Sequence, residues 1–458
     1  MPEDLSSMQP LAELEVYLLE ELLEYQEDRL AELDSGKLAR TSPVVVGNFL
    51  ERLNVDDRRQ VLRALSEPVA SEILAEMDAE DSAEVVEAMR EHRALAILES
   101  LERDDAADVI GQLEDVTQER LLSKLNPKTA AEVRSLLKYG PDTAGGVMNP
   151  HVGTVRASMS VDEAIQHIRK IKEELEHIFY LYVVDDEKHL QGVLSARDLI
   201  MALPTQKVSA IMRTELKGVC KADEDREAVA LAMADSNFLA LPVVDTEGKL
   251  LGIVEHDDVI DIIQSEATED FQRLVGAGPD ESIHDDVFFS EKRRVPWLAV
   301  NVFTAYLAGG VIFMFRHQIE ELSMLAVFIP ILASLSGNTG AQTLAIAIRS
   351  LALGEMKPAD NTTVCLREGF KGLISGIIIG AIGAILAYFM TDRLDLASVV
   401  FAAMAISMSL GGLAGALIPI ILKNFDFDPA QSSSIFLTAV TDVTSSLIFL
   451  SLGVWFLL

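Results

Sequence analysis

From about residue 295 onward the chain is apolar in five stretches, 297–315, 324–353, 370–390, 397–422 and 432–458. Each is close to or above the ~20 residues that a helix needs to cross a hydrocarbon core. Inside lipid a backbone must satisfy its own amides and carbonyls, so these stretches are expected as five transmembrane helices. An odd number leaves no even inverted repeat within one chain and makes a pore shared by two subunits attractive. The last stretch carries one acid, Asp442. A carboxylate at that depth is costly and normally faces a partner or a water-filled path. The plainer alternative is an acid at a helix end, or one satisfied by the hydroxyls of Thr441, Thr444 or Ser445.

Upstream the composition reverses. The chain holds 72 Asp and Glu against 38 Lys and Arg, and the formal net charge of −34 sits largely before the apolar part. Such a surface repels nucleic acid and anionic headgroups and attracts cations; solubility, or a high-salt habitat, explains it equally well. Cys220 and Cys365 have no CxxC or histidine spacing, so they imply neither a disulfide framework nor a thiolate metal site. The first residues, MPEDLSSMQP, lack a basic-then-apolar leader, and a reducing cytosol is expected around the soluble part. Lys292, Arg293 and Arg294 precede the first span, Arg349, Lys357, Arg367 and Lys371 surround the second-to-third loop, and Lys423 follows the fourth. Arg316 and Arg393 are the counterweight on the other side. The positive-inside rule then places the soluble part in the cytoplasm and the C-terminus outside a plasma (inner) membrane.

Two repeats organise the soluble part. The first has a period of 24: Asp56-Asp57, Glu80-Asp81 and Asp104-Asp105 recur in step, as do Leu74, Leu98 and Leu122 and Ile73, Ile97 and Leu121. Each acidic pair opens a run with helical apolar spacing, as helix N-termini do. Units of two short helices must stack to bury their faces, so residues 40–137 are expected as a small helical superhelix. For any one of these acids, a place in a helix's first turn is the plain explanation.

The second repeat has a period of 60. Tyr182-Val183-Val184-Asp185 and Gly192-Val193-Leu194 return as Pro242-Val243-Val244-Asp245 and Gly252-Ile253-Val254. An amphipathic helix precedes each strand pair and an acid-led helix follows it, with turns at Asp185-Asp186 and Glu247-Gly248. This resembles a pair of cystathionine-β-synthase (CBS) domains, modules that often bind adenosine nucleotides. In them a Gly-h-h-Ser/Thr-x-x-Asp stretch brings a hydroxyl to phosphate and an acid to ribose. Gly192-Val193-Leu194-Ser195-Ala196-Arg197-Asp198 fits, whereas the second copy has Glu255 in the hydroxyl position. The pair therefore holds at most one nucleotide site, and a pair that holds none fits the sequence equally well.

In the second apolar stretch, Ser336-Gly337-Asn338-Thr339-Gly340-Ala341-Gln342 is polar and glycine-rich, which is tolerated at depth where it packs on protein or lines water. Gly372, Gly376, Gly380 and Gly383, and then Gly411, Gly412 and Gly415, read as faces for close helix packing. Taken in order with Ala144-Gly145-Gly146-Val147-Met148, Glu266-Ala267-Thr268-Glu269-Asp270, Asp428-Pro429-Ala430 and Thr441-Asp442-Val443-Thr444, these pieces make the chain resemble the MgtE family of magnesium channels over essentially its full length.

The resemblance implies a multidomain membrane protein. An all-α superhelical N-terminal domain (1–143) would be followed by an α/β tandem CBS pair (144–268) and a connecting plug helix (269–295, with 282–289 opening it). A transmembrane domain of five helices (296–458) would complete the chain. It implies a homodimer that takes up Mg²⁺ through a pore lined by Asp442 of each subunit, with Asn338 and nearby hydroxyls as water partners. Internal Mg²⁺ would close the pore by binding Glu72, Asp104 and Asp108; Asp225, Glu227, Asp258 and Asp261; and Glu266, Glu269, Asp270 and Asp428. ATP would touch Ser195, Arg197, Asp198 and Phe238. Two positions depart from the family pattern: Asn237 stands where an acid precedes the CBS phenylalanine, and Ser434 where relatives can carry an amide. A Na⁺- or H⁺-coupled transporter on the same scaffold, and a membrane-anchored nucleotide sensor without transport, are the competing readings. No Walker A loop, HExxH or nucleophile–histidine signature points to an enzyme.

Overall fold

The structure, a computed structural model, describes residues 38–457 except 172–174, 176–177, 217, 279–280, 282–286, 357, 426 and 432. The chain divides into two units, Met1–Ile263 and Gln264–Leu458.

The first unit opens with eight short described helices: α1 Pro43–Leu50, α2 Val55–Ala64, α3 Glu67–Ala75, α4 Ala79–Ala88, α5 Glu91–Ser100, α6 Arg103–Gly111, α7 Asp115–Leu122 and α8 Pro127–Leu136. Odd helices stack on odd and even on even, so α1, α3 and α5 form one row and α2, α4, α6 and α8 another. The 24-residue period is the spacing of helix starts within a row. Ile73, Leu74, Ile97 and Leu98 fall in the fully buried seam, which is why they recur in phase. The acidic pairs sit in first turns, behind caps such as Asn54 and Asp78, whose side chains accept from the amides of Asp57 and Glu80. Asp81 also meets the buried Arg58 at 2.5 Å, tying α2 to α4.

Two three-stranded sheets follow. In the first, β1 Thr154–Val155 runs parallel to β2 Tyr180–Val184, which pairs antiparallel with β3 Leu190–Ser195. In the second, β4 Cys220–Lys221, β5 Ala240–Val244 and β6 Leu250–Glu255 repeat that arrangement. The registers are 60 residues apart, Tyr180 opposite Ser195 and Ala240 opposite Glu255. Both hairpins turn through a left-handed residue, Lys188 at φ 68° and Gly248 at φ 87°. Helices α9 Val161–Lys170, α10 Ala196–Met201, α11 Arg226–Ser236 and α12 His256–Val275 flank the strands. Ser160 and Glu163 form a reciprocal cap on α9. α11 ends on Asn237, left-handed at φ 55°.

The second unit holds α13 Val287–Met314, a short α14 Arg316–Glu321, α15 Leu325–Ala352, α16 Asn361–Thr391, α17 Leu394–Asn424 and α18 Ser433–Leu457. All five expected spans are helical. By length and apolar content alone, four of them qualify to cross a membrane: α13, α16, α17 and α18. α15 matches them in length, and its polar stretch 336–342 dilutes its apolar content. Over half of the apolar window of α17 is buried, against 6% for α13, so α17 is the hub of the unit. Glycines let the hub be approached: a Cβ on Gly411 would lie 2.5 Å from the Ser336 carbonyl of α15, and one on Gly372 would strike the Met408 carbonyl.

The linker expected as a plug helix over 269–295 is divided. Residues 269–275 complete α12, and 287–295 open α13, which continues through Pro296 with one hydrogen bond missing. The stretch 282–286 lies outside the described residues, as do residues 1–37 of the expected first domain.

Candidate functional site

Acids gather in two places, one in each unit. In the first unit α6 carries Asp104, buried, and Asp108 one turn later, while α12 opens with Asp257 and Asp258. Burial, then the charges of Asp104, Asp257 and Asp105, push Asp258 up to about 9 despite a hydrogen bond from the Glu255 amide. Asp108 keeps an exposed edge, but desolvation by the crowded surroundings and then Asp104 raise it to about 7, and Arg226 works against them. Burial and then Asp257 raise Asp261; burial, Asp261 and Asp257 raise Glu76. Asp104, Asp108 and Asp258, far apart in sequence, are thus brought into one field. Asp105 of the repeat's acidic pair, Asp257 and Glu76 join them, and none of the three is among the expected sensing residues. Asp225 instead caps α11, accepting from the Glu227 amide at 2.8 Å. Glu72 is exposed on α3 and makes no ion pair among the described residues.

In the second unit, Glu266, Glu269 and Asp270 share one face of α12 at helical spacing. Asp428, in the loop before α18, joins them through Arg273, whose guanidinium lies 2.6 Å from its carboxylate and also pairs with Glu269. Burial, then Asp428 and Glu266, push Asp270 up to about 6, with Arg273 opposing. As placed, no three His, Cys, Asp or Glu among the described residues converge closely enough to enclose an ion. The donors are carboxylates, and neighbouring acids help to raise Asp258, Asp108 and Asp270. An all-oxygen set that favours added positive charge suits a hard, oxygen-seeking cation.

Asp442 sits two turns into α18, half-buried between the buried Thr441 and Ser445. Those hydroxyls are engaged elsewhere: Thr441 donates to the Leu437 carbonyl at 3.0 Å and Thr444 to that of Val440 at 2.6 Å. Ser445 points to the Asp442 carbonyl rather than its carboxylate. Among the described residues the Asp442 carboxylate has no hydrogen-bond or cationic partner. The polar stretch of α15 lies beside it, since a Cβ on Gly337 would come 3.6 Å from the Thr441 hydroxyl. Asn338 is exposed.

A cleft of about 320 Å³ opens in the CBS pair, lined by Tyr180, Val193, Ser195, Arg213, Ser236, Asn237 and Phe238. The Ser195 hydroxyl caps α10, accepting from the Asp198 amide at 3.0 Å and donating to its carboxylate at 2.7 Å. Arg213 approaches that carboxylate at 3.6 Å. Tyr180 and Phe238 meet edge to face at 5.2 Å. Arg197 is exposed and does not line the cleft, whereas Arg213, from the segment before β4, does. The sequence signal for Arg213 is weak because it follows no element of the repeat.

Residues 329–452 match a family described as divalent cation transporter, MgtE; 41–142 match the MgtE intracellular N domain; 144–205 and 208–265 match the CBS domain. The chain is 36% identical to the magnesium transporter MgtE of Thermus thermophilus over 331 residues, 72% of this chain and 73% of that one. It is 35% identical to that of Enterococcus faecalis over 328 residues, 72% of each. Among solved structures, the cytosolic domain of the Mg²⁺ channel MgtE in complex with ATP aligns at a TM-score of 0.46. It is 37% identical and covers 55% of this chain and 100% of that one.

Proposed function

This chain belongs to the MgtE family of divalent cation transporters, and on that premise we propose that it is a dimeric, Mg²⁺-selective channel which closes when cytosolic Mg²⁺ is plentiful. Its apolar C-terminal helices span a membrane, and its role is transport rather than catalysis of a reaction. The observation that carries the proposal is Asp442: a half-buried carboxylate on a membrane helix, beside a polar glycine-rich stretch, with its neighbouring hydroxyls committed to backbone carbonyls.

Mg²⁺ is small, prefers six oxygens and sheds water reluctantly. One Asp442 from each subunit would hold the hydrated ion through its waters, strongly enough to select it by size and weakly enough to release it. The cytosolic side is the soluble N-terminal and CBS part, with the C-terminus outside.

The two acid clusters supply regulation. Two carboxylates ~4 Å apart repel by roughly 4 kcal/mol at an effective dielectric near 20. Asp104, Asp108 and Asp258 in one cluster, and Glu266, Glu269, Asp270 and Asp428 in the other, are disfavoured together until a divalent cation neutralises them. Taking a gate from about 1:99 to 99:1 needs around 5.5 kcal/mol of differential binding, which several weak sites supply together. In the CBS cleft, Ser195, Arg213 and Phe238 offer hydroxyl, cation and ring to an adenosine nucleotide such as ATP, with Asp198 bonded to the Ser195 hydroxyl beside them.

The decisive experiment is Mg²⁺ flux into proteoliposomes driven by a Mg²⁺ gradient alone. Wild type is expected to conduct, and Asp442→Asn to lose flux by at least tenfold. Unchanged flux in Asp442→Asn, or wild-type flux that requires a Na⁺ or proton gradient, refutes the channel reading.

A further inference from the structure

Three successive residues at the end of α12 hold three different parts of the second unit. The Gln272 amide donates to the Glu281 carbonyl at 2.7 Å. Arg273 reaches Asp428 at 2.6 Å. The Leu274 carbonyl accepts from the Ser434 hydroxyl at 2.5 Å. Asp428 lies just ahead of α18, and Ser434 lies in its first turn, about 12 Å of helix before Asp442. The end of α12 is therefore fastened directly to the root of the helix that carries the membrane acid.

Arg273 is the ionic member of this set. Asp428 is preset to receive it: one carboxylate oxygen accepts from the Ala430 amide at 2.8 Å, which leaves the other for the guanidinium. The same guanidinium pairs with Glu269 one turn earlier. A planar fork can serve two carboxylates at once and stays charged at any working pH, which an ammonium manages less well. Its place in the last turn of α12 also suits the helix dipole.

We propose that Arg273 is a tethered counter-cation: it pins the end of α12 to the loop before α18, and its charge weakens the hold of Glu266, Glu269, Asp270 and Asp428 on a divalent cation. The second half rests on the reading of those acids as a sensing site; the first half does not. A unit charge ~6 Å from a divalent ion opposes its binding by about tenfold even in a water-like dielectric. Arg273 thus sets how much cytosolic cation the cluster needs, and holds the parts together below that level.

The test uses the full-length protein and compares wild type, Arg273→Gln and Arg273→Lys. Backbone hydrogen exchange over residues 427–436 is measured in EDTA, with α17 as the folding control. Mg²⁺ flux is measured against Mg²⁺ on the cytosolic face. Arg273→Gln is expected to exchange several-fold faster in EDTA and to close at about tenfold lower Mg²⁺; Arg273→Lys is expected to stay near wild type in its closing concentration. Unchanged exchange with an intact α17 overturns the pin. A closing concentration that stays put or rises overturns the counter-charge. Faster exchange together with a wild type that Mg²⁺ never closes upholds the pin and removes the sensing reading.

Discussion

Replacing Asp258 by Asn removes the most perturbed acid of the first cluster, and its effect can be worked out before the measurement. Burial and the charges of Asp104, Asp257 and Asp105 raise Asp258 from an ordinary 3.8 to about 9. The folded state therefore holds a proton that the unfolded chain releases, and stability falls as pH rises. The contribution is fully present below about pH 4, declines by up to about 1.4 kcal/mol per pH unit, and is gone near pH 9. At pH 7 the three units already crossed amount to at most about 4 kcal/mol. The carboxamide of the Asp258→Asn variant has no proton to lose. In EDTA, exchange of the Arg103–Gly111 helix in full-length wild type is expected to quicken steeply between pH 5 and 8 after correction for intrinsic rates. Asp258→Asn should be more protected at pH 8 and show a shallower slope, the remainder coming from Asp108, which titrates near 7. Saturating Mg²⁺ should protect wild type more than the variant. Equal pH slopes in the two proteins, or a variant less protected at pH 8, would refute the reasoning.

Gly411→Val would drive a side chain into the Ser336 carbonyl at the α15–α17 crossing, so folded membrane-inserted protein should drop sharply, a cost of about 1–3 kcal/mol or more. Gly309→Ala, which meets nothing within 4 Å, should express like wild type in the same size-exclusion assay; equal yields for both variants would remove the close-packing argument. Ser195→Ala loses the cap on α10, worth about 1 kcal/mol, and the hydroxyl that holds Asp198. ATP affinity by calorimetry should fall at least tenfold, and wild type showing no ATP heat would dismiss the cleft as a nucleotide site.

Periodicity was legible because it is local. Helix starts 24 residues apart, and strand registers 60 apart, are set by side chains that alternate between a buried seam and water, and each seam recurs in the sequence. Spans of full membrane length were legible for the same reason. What could not be read was where charges meet. Arg273 and Asp428 are 155 positions apart, and no pattern announces that one neutralises the other. Arg226 moderates Asp108 from the first position of α11, and Arg213 lines the cleft from the segment before β4, and neither pairing is visible in the periods. The split of the linker between α12 and α13 was also hidden, because helix propagates through Pro296, where the sequence suggests an end.

The two CBS copies show how little chemistry separates a polar cleft from a cluster of acids. In the first copy, the Ser195 hydroxyl binds the Asp198 carboxylate at 2.7 Å and Arg213 stands 3.6 Å away, so the acid has a donor and a cation beside it. In the second, the matched position is Glu255, which is buried and brings a carboxyl group in place of the hydroxyl. Among the described residues Asp258 keeps just the backbone amide of Glu255, at 3.3 Å, and lies in the field of Asp104 and Asp105 from the helical rows. The hydroxyl that serves Asp198 thus has no counterpart beside Asp258, which accepts from a backbone amide instead and lies where neighbouring helices supply more carboxylates. Asn237 works in the opposite sense: as the left-handed end of α11 it closes the helix with a neutral amide at the cleft wall, keeping negative charge away from the copy that retains its hydroxyl. The two copies thus differ in charge around matched positions, with a hydroxyl and an arginine beside Asp198 and carboxylates beside Asp258, so that on the proposed function one fold would present a nucleotide cleft on one side and a cation site on the other.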